Sequence, residues 1–213
     1  IKGVLLCPGT GQSGFEGFGK VVSGEVNPSG RTVDTYVSNL KNAPWWNNFG
    51  DFKYTNTEEL NSDSSFFDPE GTTPSFVNYV EGIYVGYKFY ETAADEGLIN
   101  YDDEVVFPFG YGLSYTSFTK EMSGITNDGT NLNFTVTVTN TGSVAGKDVV
   151  EIYSDPPYTN GGIEKSSANL LDFAKTNELA PGESQTIEFS IPVEDLASYD
   201  YQTNGCYVLE AGD

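Results

Sequence analysis

At residues 107–118 the chain reads FPFGYGLSYTSF, and this stretch separates two parts of different character. The residues before it are rich in glycine and aromatic side chains, whereas the residues after it alternate in hydrophobicity like the strands of a β-sandwich. Pro108 fixes its own φ and favours an extended backbone at Phe107. Gly110 and Gly112 carry no Cβ, which frees the backbone at both positions. The stretch therefore predicts a tight aromatic corner that holds two domains together.

The composition is that of a folded and strongly acidic protein. The chain has 213 residues, of which 38% are hydrophobic and 14% aromatic, enough for a sizeable core in one or two domains. It has 10 Lys and Arg residues against 31 Asp and Glu residues, a formal net charge of −21. This balance argues against nucleic acid and anionic membrane surfaces as partners and favours neutral or cationic ones. No apolar run is long enough to cross a bilayer.

The types of residue present exclude several kinds of catalytic and metal site. There is no histidine, so Ser-His-Asp and Cys-His catalysis and the usual zinc sites are excluded from this chain. Cys7 and Cys206 lie near opposite ends and are predicted to be isolated thiols. A group of carboxylates lacks the spacing of a calcium-binding loop and is interpreted as solvated surface: Glu58, Glu59, Asp63, Asp68 and Glu70. We predict no metal site and no cofactor.

The first half of the chain predicts a mixture of strands and helix. Residues 1–7, IKGVLLC, form a short apolar run before a glycine-rich turn and predict a buried strand. Residues 12–24 predict a helix of low intrinsic propensity. Its glycines at positions 17 and 19 suggest that it lies close on a sheet. Residues 81–92, EGIYVGYKFYET, alternate between apolar and polar faces and predict a further strand.

The second half predicts an antiparallel β-sandwich. Residues 132–139, LNFTVTVT, alternate without interruption, and an Asn-Thr-Gly turn follows them. Three further short strands are predicted at residues 147–153, 170–176 and 186–191, with turn residues between them. Short strands at regular spacing are typical of this architecture.

Three strings stand out along the chain: the GQSG turn with the helix and the GEVNPSGR turn at 11–31, EGIYVGYKFYET at 81–92, and the corner at 107–118. In this order, the three strings resemble segments of glycoside hydrolase family 3, the β-glucosidase family. Phe15 stands where the family has a glycine, and Glu25 replaces an aspartate. Further strings in the second half resemble the family's fibronectin type III-like domain: residues 170–173, 179–184 and 196–200.

The resemblance implies an α/β plus all-β fold. Residues 1–117 would be the C-terminal part of an α/β-sandwich domain, with a long aromatic-rich loop near 36–75. Residues 118–213 would be a fibronectin type III-like antiparallel β-sandwich that lacks its last strand.

The resemblance also implies hydrolysis of β-linked sugars with retention of configuration. The family uses an Asp nucleophile on a (β/α)₈ barrel and a Glu acid/base on the α/β-sandwich domain, and neither matching motif occurs in this sequence. We assign no catalytic role to Glu16 or Glu25, and we predict no catalytic residue in this chain. The implied partners are a β-linked oligosaccharide or glucoside, bound through the complete enzyme, together with the barrel and the rest of the α/β domain.

Trp45 and Trp46 are the candidate binding residues, and they have two interpretations. Aromatic rings stack on the apolar faces of sugars, so the pair is a candidate platform at the rim of a sugar cleft. The alternative, which we favour, is that the two rings hold the long loop to the domain surface. Other functions stay open: a non-catalytic carbohydrate-binding or structural module, or part of a β-xylosidase. Oligomeric state and a cytoplasmic or secreted location also stay open.

Overall fold

The computed structural model describes residues 3–7, 9–48, 52–56 and 75–211, which form a mixed N-terminal part and a C-terminal β-sandwich. The helices of the N-terminal part are α1 (Gly14–Ser23), α2 (Tyr87–Asp95) and α3 (Tyr101–Glu104), with 3₁₀ turns at Leu40–Asn42 and Pro44–Asn48. Its strands are β1 (Tyr36–Val37) and β2 (Val105–Phe107). The two strands pair antiparallel, so β2 enters the corner at 107–118 directly from this small sheet.

The sandwich contains the four strands that the sequence predicts, together with several short ones. Its strands are β3 (Phe118–Met122), β4 (Thr126–Asn127), β5 (Asn131–Asn140), β6 (Val149–Ser154), β7 (Asn169–Lys175), β8 (Ser184–Pro192), β9 (Ser198–Asp200) and β10 (Cys206–Val208). Strand β5 is central: β3 and β4 pair with one edge of it and β8 with the other. Strands β6 and β7 form a second antiparallel pair, and β9 and β10 form a third.

The core of the sandwich lies between the alternating residues of β5 and the strands that face them. On β5, Phe134, Val136 and Val138 are buried, and Val138 has no exposed surface. Phe134 stacks on Phe189 of β8 with ring centroids 5.5 Å apart, and the two residues are also register partners. Burying a side chain of this size contributes about 1.5–3 kcal/mol. The prediction of an all-β second half is confirmed, whereas the prediction of a missing last strand stays a prediction.

Helix α1 confirms the predicted helix but not its predicted packing. It ends at Gly24, which has a left-handed backbone (φ 79°) and donates its N–H to the carbonyl of Val21. No residue of α1 is buried, and a Cβ added at Gly17 or Gly19 would have no atom within 4 Å. The prediction that these glycines let the helix lie close on a sheet is therefore wrong for the part of the chain described here, in which no sheet lies against them.

The predicted first strand is not formed in the described residues. Residues 3–7 adopt no regular structure, and Val4 and Leu6 are 74% and 62% exposed. A strand forms only when a neighbouring backbone pairs with its N–H and C=O groups. Within the described ranges no strand lies beside this run, so its apolar residues stay uncovered.

The prediction of a strand at 81–92 is wrong, because the second half of this segment is helix α2. Gly86 precedes the helix with a positive φ of 61°, which breaks the extended path. Tyr90 and Ala93 are buried three residues apart, as on one face of a helix, whereas Ile83 and Val85 are about half exposed. The alternation in the sequence is real, but the structure buries one face of a helix at Tyr90 and Ala93 instead.

Gly19 in α1 and Gly24, directly after its last residue, give a matched test of the helix. Gly19→Ala is expected to raise the free energy of local opening by about 0.5–1 kcal/mol, because alanine has less conformational freedom to lose and the site is open. Gly24→Ala is expected to lower the free energy of local opening by about 1 kcal/mol, because alanine is strained at the positive φ of this position. Amide hydrogen exchange in α1 measures both. Equal effects of the two substitutions would contradict this account.

Three further features concern cysteines, metals and membranes. Cys7 and Cys206 are free and exposed, as predicted. Across residues 3–7, 9–48, 52–56 and 75–211, no group of His, Cys, Asp and Glu is arranged to hold a metal ion. The helices in the same ranges are too short or too polar to span a bilayer.

Candidate functional site at the domain junction

The corner at 107–118 is hydrogen-bonded to the turn at 27–32 along its backbone. The N–H of Thr32 donates to the carbonyl of Tyr111, and the N–H of Gly110 donates to the carbonyl of Thr32, both at 2.8 Å. The Thr32 hydroxyl donates to the Pro108 carbonyl at 2.5 Å and accepts from the Tyr111 N–H at 2.9 Å. Gly110 has a φ of 77°, a conformation that favours glycine. Two segments far apart in sequence thus form one rigid unit.

Asn27 connects this unit to the sandwich with a single side chain. Its Oδ1 accepts from the Tyr115 N–H at 2.8 Å and from the Ser114 hydroxyl at 3.0 Å. Its Nδ2 donates to the carbonyl of Ala145, a residue of the sandwich, at 3.0 Å. The amide of Asn27 therefore bridges three segments of the chain, and a carboxylate could not replace it because one of the bonds requires a donor.

Arg31 and Asp148 form the charged centre of the junction. The Arg31 guanidinium donates to the carbonyl of Gly112 and pairs with the carboxylate of Asp148. The Nζ of Lys120 lies 3.0 Å from the other carboxylate oxygen, and the Asp148 side chain is only 4% exposed. A buried carboxylate needs such partners, because an unpaired charge in this place would be strongly destabilising. Lys175 adds a further link by donating to the carbonyl of Ser29 at 2.8 Å.

The surroundings of Asp148 hold its carboxyl ionised. Burial by itself would raise the pKa of Asp148. The hydrogen bond and the charge of Lys120, the N–H of Val149 and the hydrogen bond from Arg31 outweigh burial, so the pKa lies below its usual value. The folded junction therefore stabilises the ionised carboxylate of Asp148.

This lowered pKa predicts how the junction responds to acid. Because the folded pKa of Asp148 is depressed, its stabilising contribution is fully present above the unfolded pKa of about 3.9 and is lost as pH falls through the folded pKa. Asp128 and Asp200 also have lowered pKa values, so the wild-type curve contains their titration too. We expect the stability difference between wild type and Asp148→Asn to be constant near neutral pH and to shrink below about pH 4. Urea denaturation across pH measures this difference, and a pH-independent difference would contradict the assignment.

Helix α2 makes a second set of contacts with the sandwich. The ring of Tyr87 lies 4.9 Å from that of Phe109 and 5.9 Å from that of Tyr153, measured between centroids. The Tyr87 hydroxyl accepts from the N–H of Leu170 at 2.9 Å. Beside this contact, a cleft of about 670 Å³ lies between α2 and the segment 155–167 of the sandwich. The junction thus has a closed polar side and an open side with a cleft.

The predicted site residues Trp45 and Trp46 lie away from this cleft. Both are in the 3₁₀ turn Pro44–Asn48, next to the buried Ala43, and both are half-buried. Their ring centroids are 6.5 Å apart and the ring planes are tilted by 52°. Residues 49–51 and 57–74 of the predicted long loop, including all five of its carboxylates named above, lie outside the described residues. A role for the two tryptophans at a sugar rim stays a prediction.

The two carboxylates near the glycine turns are both on the surface. Glu16 lies on α1, where its side chain is 74% exposed and pairs with Lys20 at 2.9 Å. Glu25 is exposed just after the end of the same helix. Neither has a second carboxyl group placed opposite it by the contacts described here.

Sequence reasoning did not identify Asn27, Arg31 and Asp148 as a connected set. Asn27 and Arg31 are in a turn string that the sequence singled out, but a turn motif does not indicate its distant partner. Asp148 lies at the start of the strand predicted at 147–153 and has no local signal of its own, and it lies 117 residues from Arg31. The one available signal was Arg31 itself, because this chain has few cationic residues.

Comparison with known proteins gives one match within the sandwich and further matches along nearly the whole chain. The model of the fibronectin type III-like domain family matches residues 148–213. β-Glucosidase A of Butyrivibrio fibrisolvens is 34% identical over 231 aligned residues, which include 100% of this chain and 24% of that protein. The solved β-glucosidase of Paenibacillus barengoltzii is 37% identical with a TM-score of 0.74, over 94% of this chain and 19% of that one.

A third similar protein is described as a member of glycoside hydrolase family 3 (GH3). The solved GH3 β-glucosidase of Bifidobacterium adolescentis is 28% identical with a TM-score of 0.69, over 94% of this chain and 25% of that one. Along its whole length, this chain is similar to one segment of glycoside hydrolase family 3 β-glucosidases. It spans about a quarter or less of the length of these family 3 relatives, so it matches one segment of them.

Proposed function

We propose that this chain forms the non-barrel portion of a retaining β-glucosidase-like enzyme that acts on β-linked gluco-oligosaccharides or glucosides. The observation that supports this most directly is that one continuous segment of β-glucosidases matches the chain from end to end. The relatives named above are all β-glucosidases, which favours a glucoside over a xyloside as substrate.

The chemistry of retention assigns this chain a supporting role. A retaining glycosidase needs two carboxyl groups about 5–5.5 Å apart, one to attack the anomeric carbon and one to protonate the leaving group. Glu16 forms an exposed ion pair with Lys20, so it is a poor candidate for either role. We infer that the chain supports the fold and shapes the cleft, and that both reacting carboxylates come from other parts of the enzyme.

Exposed apolar side chains support the further proposal that the rest of an α/β domain covers this part. Val4 and Leu6 lie in an exposed apolar run without regular structure, and Phe15 and Val22 of α1 are 68% and 64% exposed. A patch of large apolar residues on a folded part usually marks an interface. A further α/β layer is the partner that suits an apolar run followed by an amphipathic helix, because it can supply both a neighbouring strand and an apolar face.

Activity measurements on two proteins test the proposal. The pure 213-residue chain is expected to show no hydrolysis of an aryl β-glucoside, because it lacks both reacting carboxylates. A chimera in which this chain replaces the matching segment of the Paenibacillus barengoltzii β-glucosidase is expected to retain turnover. Hydrolysis by the pure chain would contradict the supporting role. A folded but inactive chimera would contradict the proposal that the chain is functionally equivalent to that segment.

The tryptophan pair defines a second candidate function, a carbohydrate-binding surface on the long loop. The adjacent tilted rings of Trp45 and Trp46 favour it, because two neighbouring indoles offer more stacking area than one. Titration of cello-oligosaccharides against tryptophan fluorescence tests it. A saturable change that is lost in Trp45→Ala supports binding there, whereas the absence of any saturable change removes this candidate.

A further inference from the structure

The cleft between α2 and the sandwich has the dimensions of a small-molecule site. Its volume is about 670 Å³, and sites of this type commonly enclose about 300–1,000 Å³. One side is formed by the segment that contains Tyr84, Phe89 and Thr92, and the other by residues 155–158 and 165–167. It lies at the boundary between two structural parts, where ligand sites are frequent.

Hydrogen bonds across the cleft hold its two sides in place. The Tyr84 hydroxyl donates to the carboxylate of Glu164 at 2.5 Å. The N–H of Ser167 donates to the hydroxyl of Thr92 at 3.0 Å. Within the sandwich side of the cleft, Lys165, whose side chain is 4% exposed, donates to the carbonyl of Pro157 and pairs with Glu210. The cleft is therefore formed before any ligand binds, which reduces the ordering that binding requires.

The side chains that line the cleft combine apolar surface with hydrogen-bonding groups. Phe89, Tyr158 and Pro156 supply flat apolar surface, and Tyr158 is 41% exposed. The carboxylates of Asp95, Glu96 and Asp155 are at its edge and accept hydrogen bonds.

One polar group in the lining has no partner. The Ser167 hydroxyl is buried and makes no hydrogen bond, although the cleft passes directly beside its residue. A buried hydroxyl without a partner is costly, and a ligand hydroxyl would satisfy it once the Ser167 side chain rotates toward the cleft. Among the described lining residues the one cation is Lys165, and its charge is already paired with Glu210. The lining therefore disfavours anions and favours a neutral ligand that has both an apolar face and several hydroxyl groups.

We propose that this cleft is a non-catalytic binding site for a neutral pyranoside, with one sugar ring stacked on Tyr158 and hydroxyl groups bonded to Ser167 and the carboxylates at the edge. The choice of a β-linked glucoside among pyranosides depends on the proposed function. The site lies on a different set of residues from Trp45 and Trp46, so the two sugar-binding proposals are independent of one another.

Titration of the ¹⁵N-labelled 213-residue chain with cellobiose tests the proposal. Saturable shifts of the amide N–H signals of Asp155, Tyr158 and residues 165–167 are expected. Tyr158→Ala is expected to weaken binding about fivefold, because it removes the stacking surface. Ser167→Ala is expected to weaken it about twofold although it breaks no hydrogen bond of the free protein. Phe173→Ala, which removes a 66% exposed aromatic ring outside the cleft, is the matched control and is expected to leave binding unchanged.

Several results would overturn the proposal. They are the absence of saturable shifts, equal affinity of wild type and Tyr158→Ala, or the same shifts with sorbitol or with tetramethylammonium in place of cellobiose. Crystals of the chimera soaked in cellotriose provide a second measurement that does not require the isolated chain. Sugar in the catalytic pocket with an empty cleft would refute this site while leaving the proposed function intact. Sugar in the cleft of an inactive chimera would support this site and contradict the proposed function.

Discussion

Asp148→Ala is expected to lower the free energy of unfolding of the sandwich by about 2–4 kcal/mol. Removing one partner of a buried ion pair costs about 3–5 kcal/mol, because the other charge stays buried without compensation. The effect here is smaller because the Arg31 and Lys120 side chains are 21% and 43% exposed and so keep part of their hydration. Urea denaturation followed by near-ultraviolet circular dichroism measures the change.

Glu16→Gln is the matched control for this prediction. It also removes one carboxylate from an ion pair with a lysine, but the pair lies within the exposed helix α1. Exposed pairs contribute little, so a change below about 0.5 kcal/mol is expected. A double-mutant cycle of Arg31→Ala and Asp148→Ala then isolates the coupling between the two parts of the chain. An effect of Asp148→Ala as small as that of the control would show that the junction does not depend on this charge.

Gly112→Ala is expected to destabilise the junction by about 1–3 kcal/mol through steric overlap. A Cβ at this position would overlap the carbonyl oxygen of Gly30 and would lie 3.1 Å from Cδ of Arg31. The oxygen belongs to the backbone of the turn at 27–32, so it cannot rotate away like the end of a side chain. The turn and the corner must separate, which weakens the bond from Arg31 to the Gly112 carbonyl.

Gly124→Ala makes the same chemical change at an open position. An added Cβ there has no atom within 4 Å, and Gly124 has no positive φ. We expect little or no loss of stability from this control. Thermal unfolding compares the two variants, and hydrogen exchange at Thr32 and Gly110 shows whether the turn and corner have separated. Normal protection of both amides in Gly112→Ala would contradict the proposed overlap.

The sandwich was predictable from sequence because its signal is local. Strand β5 alternates in hydrophobicity, and its buried hydrophobic residues are those that the alternation indicates, from Phe134 to Val138. In a strand, neighbouring side chains point to opposite faces, so a pattern with period two is sufficient to assign the core face. The family resemblance was equally accessible, because three strings in the right order are specific.

Local sequence patterns were enough to predict the β-sandwich, the helix that ends at Gly24 and the aromatic corner at 107–118. The tertiary structure was needed to show that residues 87–95 are helical, because packing of Tyr90 and Ala93 outweighs an alternating pattern that is equally compatible with a strand. It also decided that Arg31 pairs with Asp148, and that α2 and the sandwich leave a cleft between them. Local patterns specify the faces of single elements, whereas contacts between residues more than 100 positions apart depend on how the whole chain folds back on itself.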